Sequence, residues 1–187
     1  MEMDKRRAEL IDAALELFVE RGLIKTSIAG ITERVGVARS LFYHYFADKK
    51  AVVDAVIDDR VDDFMMRLEQ WARSRDINDM REVLRAVVVV IRSFLLGEDS
   101  FGRYILTENN AFLRQQFTVR CSERISEKSS SMLLTLYDPS CGREPMKHVR
   151  ETMYVLCIGV MSLLFQNPDV SDEALLEIIA NVLGIDI

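Results

Sequence analysis

The sequence predicts an all-α fold of about nine helices, and three observations carry that prediction. Apolar residues recur at the 3.6-residue period over most of the 187 positions, and only 8 Gly and 3 Pro interrupt them. No alternating β-branched runs are bounded by turn residues. The one strand-like stretch, Val87 to Ile91, lies within a stripe of Val83, Leu84, Val87, Val88, Ile91, Phe94 and Leu95, whose spacing is helical. The chain divides into a three-helix N-terminal domain over residues 1–50 and a helical C-terminal domain over 51–187.

The first helix is expected from Asp4 to Arg21, with Ile11, Ala14, Leu15 and Phe18 inward and Gly22 ending it. Ser27 caps a short second helix with Ile28, Ile31 and Val35 on one stripe, and Gly36 supplies the φ > 0 that a tight turn needs. A third short helix follows, with Leu41, Phe42 and Phe46 inward and Arg39, Ser40, Tyr43, His44 and Tyr45 on its other side. Asp48 caps the fourth, which runs to about Arg73 with Val53, Ile57, Val61, Phe64, Met65, Leu68 and Trp71 in register. The fifth starts near Asn78 and stops at Gly97; a shorter one covers Ser100 to about Thr107, and a long one Asn110 to Tyr137. Pro145 fits the first position of the eighth helix, which ends at Asn167-Pro168. Ser171 caps the last, with Leu175, Ile178, Ile179, Val182 and Leu183 on its stripe and Gly184 past its end.

Two short helices about a Gly-containing turn, the second presenting long polar side chains, form the helix-turn-helix layout. Lys49 and Lys50 then sit in the first turn of the fourth helix, where the macrodipole disfavours cations; an anion nearby, such as a DNA phosphate, would offset this. From Ala8 to about Ala55 the residues, AALELFVERG and then TSIAGITERVGVARSLFYHYFADKKAV, resemble the tetracycline-repressor (TetR) family of bacterial transcriptional regulators. The LFYHYF run with a Lys three residues later is the specific part. Two departures stand out: Ala38 replaces the usual Ser or Thr cap of the recognition helix, and Thr32 a common Ala. A lost cap costs about 1 kcal/mol locally and removes a side chain that would meet phosphate.

The net charge of −6 conceals a partition. Residues 21–50 carry six basic side chains against two acidic ones, whereas residues 54–82 carry nine acidic and five basic. Distribution outranks the total, because phosphate attraction is screened beyond about 8 Å at physiological salt. Cys121, Cys141 and Cys157 lack CxxC spacing, which fits a reducing cytoplasm, and the charged start MEMDKRRAEL does not read as a signal peptide. The longest apolar run, Thr152 to Phe165, is 14 residues, short of the ~20 that span a bilayer, and is expected to be buried on nearly all sides. His44 and His148 are isolated and belong to no HExxH or ExxH pattern. With no GxGxxG, P-loop or nucleophile elbow, no enzyme, cofactor or metal site is expected.

Arg39 and Ser40 are the candidates for base edges, Arg39 through guanine O6 and N7 or, as readily, through phosphate alone. Tyr43 and Lys49 occupy the positions that contact phosphate in the family the chain resembles. His44, Tyr45, Thr26, Ser27 and the run Lys5-Arg6-Arg7 are further candidates, although one of His44 and Tyr45 can instead pack on the first helix. The last two helices carry more apolar surface than one core needs, which predicts a homodimer through a four-helix bundle using Val155, Ile158, Leu163, Leu175, Ile179 and Val182. A two-fold dimer would set its recognition helices ~34–36 Å apart, one turn of a palindromic duplex. The resemblance implies the same dimer mode and an unknown small-molecule effector in the C-terminal domain, shifting the fourth helix. Residues available to line its pocket are Trp71, Phe94, Phe101, Tyr104, Phe112, Phe117, Tyr154 and Met161, each of which, taken singly, is better explained as core packing. Glu108, Asn109 and Asn110 could orient a ligand or cap a helix. The favoured reading is a dimeric, sequence-specific DNA-binding repressor released from a palindromic operator by a small-molecule effector; the alternative is an all-helical dimeric protein–protein adaptor with a vestigial helix-turn-helix.

Overall fold

The computed structural model describes residues 2–73, 80–97, 100–105, 107, 110–136 and 147–185, and among these it contains nine helices. They are α1 (Glu2–Arg21), α2 (Ile28–Val35), α3 (Arg39–Tyr45), α4 (Lys49–Arg73), α5 (Met80–Leu96), α6 (Ser100–Ile105), α7 (Ala111–Leu136), α8 (Val149–Gln166) and α9 (Asp172–Leu183). The expected start at Asn78, the loop with Pro145, and Glu108 and Asn109 lie outside the described residues.

Local chemistry sets most of the ends. Gly22 takes φ 86° and its N–H bonds the Phe18 carbonyl at 2.9 Å, closing α1. Ser27 accepts from Gly30 N at 3.1 Å, and Ser171 accepts from Ala174 N at 3.2 Å, each satisfying an orphan donor of its helix. Asp48 Oδ1 does the same for Ala51 N at 2.8 Å at the start of α4. The N-cap of α3 is Ala38, which supplies no side-chain bond, so this helix is held by its buried face and not by its cap.

A single hydrophobic core runs from the N-terminal three helices into the C-terminal ones. The head is built on Leu10, Leu17, Phe18, Ile31 and Phe42, all at most 1% exposed, with α1 packed on both α2 and α4. In the body, Phe64 of α4, Phe94 of α5, Phe101 of α6 and Phe117 of α7 converge; Phe94 and Phe117 stack at 5.7 Å, and Phe101 meets Phe117 edge-on at 5.5 Å. Gly102 lets α6 lie against α5, since a Cβ there would fall 2.7 Å from the Phe94 carbonyl oxygen.

One expectation is overturned in α8. It is buried along a stripe only (Leu156, Val160, Met161, Leu164), while Val155 is 68% exposed. At 18 residues with mean hydropathy 1.3, α8 is the one helix among the described residues long and apolar enough to cross a membrane, by length and composition alone.

Candidate nucleic-acid interface

The reading head is organised from its buried side outward. Phe42 (0% exposed) and Phe46 (3%) bury the inner side of α3 in the core, and Arg7 of α1 stacks its guanidinium over the Phe46 ring at 5.5 Å. With that face inward, Arg39, Ser40, Tyr43 and His44 face solvent, and Tyr43 is 56% exposed despite its size. Gly36, in the left-handed region at φ 74°, makes the turn that sets α3 across α2. Arg39 forms no ion pair among the described residues. Tyr45 is half-buried against the core, so of the adjacent pair only His44 is fully turned to solvent.

Several sequence-based candidates are placed differently. Thr26 is buried, its hydroxyl donating to the carbonyls of Leu17 at 3.0 Å and Gly22 at 2.9 Å; it locks the α1–α2 turn and has no free donor for a phosphate. Arg34 does not contribute a free cation either, since its guanidinium spans Glu16 at 2.9 Å and Glu20 at 2.7 Å on α1, which draws its charge out of the surplus counted over residues 21–50. Hydrogen bonding to Arg34 holds the Glu20 carboxyl below its usual range. Of the two lysines opening α4, Lys50 pairs with Asp54 at 2.7 Å. Lys49 is half-buried and donates to the Leu23 carbonyl at 2.6 Å, and burial lowers its pKa from the ordinary lysine value. Internal partners therefore account for cations whose position alone suggested an external anion.

The interface and pocket candidates divide as well. Leu175 (1% exposed) and Ile179 (4%) point into the chain's own core, where α9 packs on α5, and are therefore not available to a second copy. Leu163 also packs against that core. The apolar surface that remains open on α8 and α9 is Val155, Ile158, Ile178 (39% exposed) and Val182 (46%); Ile178 was legible only as one more member of the helical stripe. Phe94, Phe101, Phe117 and Met161 are at most 2% exposed, the three phenylalanines closed on one another, while Phe112 is 52% exposed, and Tyr154 half-exposed. Trp71 lies on α4 with its side chain outside the described set. Asn110 is buried and caps: its amide donates to the Tyr104 carbonyl at 2.8 Å and to Thr107 Oγ1 at 2.6 Å. Open clefts lie elsewhere, one of about 340 Å³ between α7 and α8 beside Arg114, Thr118 and Phe165, and one of about 490 Å³ along α4 and α7 beside Asp58, Arg120 and Arg150.

A head with a glycine-turned pair of short helices, a buried aromatic anchor and an exposed polar second helix defines a helix-turn-helix protein. Residues 10–56 match the family described as bacterial regulatory proteins, tetR family, and this matched segment contains the whole helix-turn-helix pair. Curated relatives include the HTH-type transcriptional activator FasR of Mycolicibacterium smegmatis, 34% identical over 107 residues that cover 57% of this chain and 48% of that protein. The HTH-type transcriptional repressor KstR2 of Rhodococcus jostii is 35% identical over 83 residues, 44% of this chain and 40% of that one. The matches thus span about half or less of those relatives. Among solved structures, ligand-free RolR shares the fold over 96% of this chain and 91% of its own, with TM-score 0.70 and 21% identity.

Proposed function

We propose that this protein is a dimeric, sequence-specific DNA-binding transcriptional regulator whose α3 enters the major groove. The observation that carries the reading is the division of α3 itself: Phe42 and Phe46 fully inward, and Arg39, Ser40, Tyr43 and His44 outward on a helix with no other partner for that face among the described residues. An adaptor has no need to hold an arginine and a tyrosine in water on so short a helix. In this reading Arg39 and Ser40 read base edges, while Tyr43, His44 and the Ser27 end of α2 meet phosphates. Lys49 meets phosphate only with donors left over from its bond to Leu23.

Two copies would join through Val155, Ile158, Ile178 and Val182, whose exposure on adjacent helices supports a symmetric four-helix bundle. A small-molecule effector biasing two dimer states would act from the helical body. One curated relative is an activator and another a repressor, so this fold alone does not set the sign of regulation.

The test is selection of duplexes from a random pool by the purified protein, followed by titration of the selected palindrome. Arg39→Ala is expected to lose ~1–3 kcal/mol of discrimination at one base position, and Tyr43→Ala to weaken all duplexes alike with a shallower salt slope. Retention of no duplex, or indifference to both substitutions, would overturn the reading in favour of an adaptor. Separately, Val155→Asp is expected to shift the sedimentation of the dimer toward monomer while leaving the melting temperature of the protomer nearly unchanged, because that side chain is exposed within the chain. A monomeric wild type would remove the dimer from the proposal.

A further inference from the structure

The α1–α2 turn is gripped from both sides at a single residue, Leu23. Leu23 N–H donates to the Tyr104 hydroxyl at 2.9 Å, and the Leu23 carbonyl accepts from Lys49 Nζ at 2.6 Å. Tyr104 belongs to α6, in the body; Lys49 opens α4, beside the reading head; Leu23 lies between the two helices that carry the head. These bonds join residues 81 and 26 positions apart, so local capping does not explain them.

We infer that Tyr104, through the Leu23 backbone and Lys49, is a positioning residue for the reading head, a hydrogen-bonded link by which the placement of α6 sets the placement of the α1–α2 turn and the first turn of α4. The far end of the link is held as well. The Asn110 amide bonds the Tyr104 carbonyl at 2.8 Å, and Arg114 of α7 reaches the carbonyl of Ile105, the last residue of α6, at 3.3 Å. Tyr104 is 8% exposed and its neighbour Ile105 is fully buried, so the hydroxyl has a fixed origin and is not a solvated tip. Burial outweighs the bonds to Leu23 and Asn110 and raises the Tyr104 pKa, which keeps the hydroxyl protonated at neutral pH.

The link also gives Lys49 a second role. An ammonium has three donors, and one is committed to Leu23. A phosphate drawn to Lys49 would therefore be tied through the backbone of one residue, Leu23, to α6. A contiguous chain of bonds between two rigid helices is the physical basis for coupling, and coupling of this kind is measurable as non-additivity.

The decisive variant is Tyr104→Phe, which deletes one oxygen and keeps the ring. Amide hydrogen exchange of Leu23 is expected to speed up at least about tenfold, with the melting temperature held within a few degrees. Unchanged Leu23 protection would overturn the inference, and this measurement needs no DNA. The second arm rests on the proposed DNA-binding function and uses the duplex selected from the random pool, compared with the same duplex carrying one extra central base pair. A positioning role predicts that Tyr104→Phe lowers the preference for the selected spacing severalfold, and that adding Lys49→Met changes that preference no further. A turn that merely needed stabilising would weaken both duplexes equally, and additive effects of the two substitutions would likewise overturn the link. If no duplex is retained by the wild type, the DNA-binding function fails, and the link is still judged by Leu23 exchange.

Discussion

Replacing Phe117 with alanine is expected to lower the unfolding free energy by about 3–5 kcal/mol. The ring is fully buried and lies against three others: stacked on Phe94 at 5.7 Å, edge-on to Phe101 at 5.5 Å and tilted to Phe64 at 6.3 Å. Those four come from α4, α5, α6 and α7, so the hole cannot collapse by the shift of one helix without separating another pair. Urea unfolding is the measurement, with a lower midpoint and an unchanged slope. The matched comparison is Phe112, five residues earlier on α7 and 52% exposed, where alanine should cost within about 0.5 kcal/mol. This pair also decides between two readings of the aromatic residues. A ring lining an open effector pocket has solvent on one side and little packing to lose, so a cost below about 1 kcal/mol at Phe117 would restore the pocket and remove the closed core.

What the sequence made legible was the chemistry that acts within a turn or two of the chain. Ser27, Gly36, Asp48, Ser171 and Gly184 are local devices, and each cap or left-handed turn forms where its residue type demands it. The absent cap at Ala38 was equally legible. The stripe of α5 was readable because one face of a helix has one destination, here the core. The site was read less well wherever a residue's partner is remote. Arg34 looks like a free cation in a basic segment, yet its partners lie 14 and 18 residues upstream on α1. The place of Lys49 at a helix start points to a phosphate, yet the acceptor it bonds is a carbonyl 26 residues away. Thr26 precedes a cap and looks available, but its hydroxyl turns back onto α1. Helical period reports that α9 has an apolar face broader than one contact, without reporting which part meets its own α5. Hence the stripe does not separate Leu175 and Ile179 from Val182, although the first two are core and only the last is open.

Arg120 is the side chain through which α7 holds α4, and Arg120→Met is expected to cost ~2 kcal/mol. Its guanidinium donates to Asp54 Oδ1 at 2.7 Å, the Asp54 carbonyl at 3.0 Å and Asp58 Oδ1 at 2.7 Å. The next step along the seam, Arg124 to Asp62 at 2.7 Å, repeats the spacing of four residues on both helices but is far more open to water. Side-chain exposure is 23% and 28% for Arg120 and Asp54, against 44% and 61% for Arg124 and Asp62. Screening by solvent leaves the outer pair within about 0–1 kcal/mol, whereas deleting Arg120 leaves the half-buried Asp54 carboxylate to Lys50 alone and removes the bond to the Asp54 carbonyl. The pH dependence follows with a definite sign. Burial pulls the Asp54 pKa upward, but hydrogen bonds from Lys50 and Arg120 outweigh it and set the value below the ordinary 3.8. A carboxyl with a depressed folded-state pKa contributes stability that is fully present above 3.8 and is lost as pH falls through the lowered value. Unfolding free energy measured from pH 6 down to about pH 2 should therefore drop on the acid side in the wild type and drop less steeply in Arg120→Met, where only Lys50 still supports Asp54. Equal costs for Arg120→Met and Arg124→Met would show that the seam is uniform and that α4 is held by its apolar face alone.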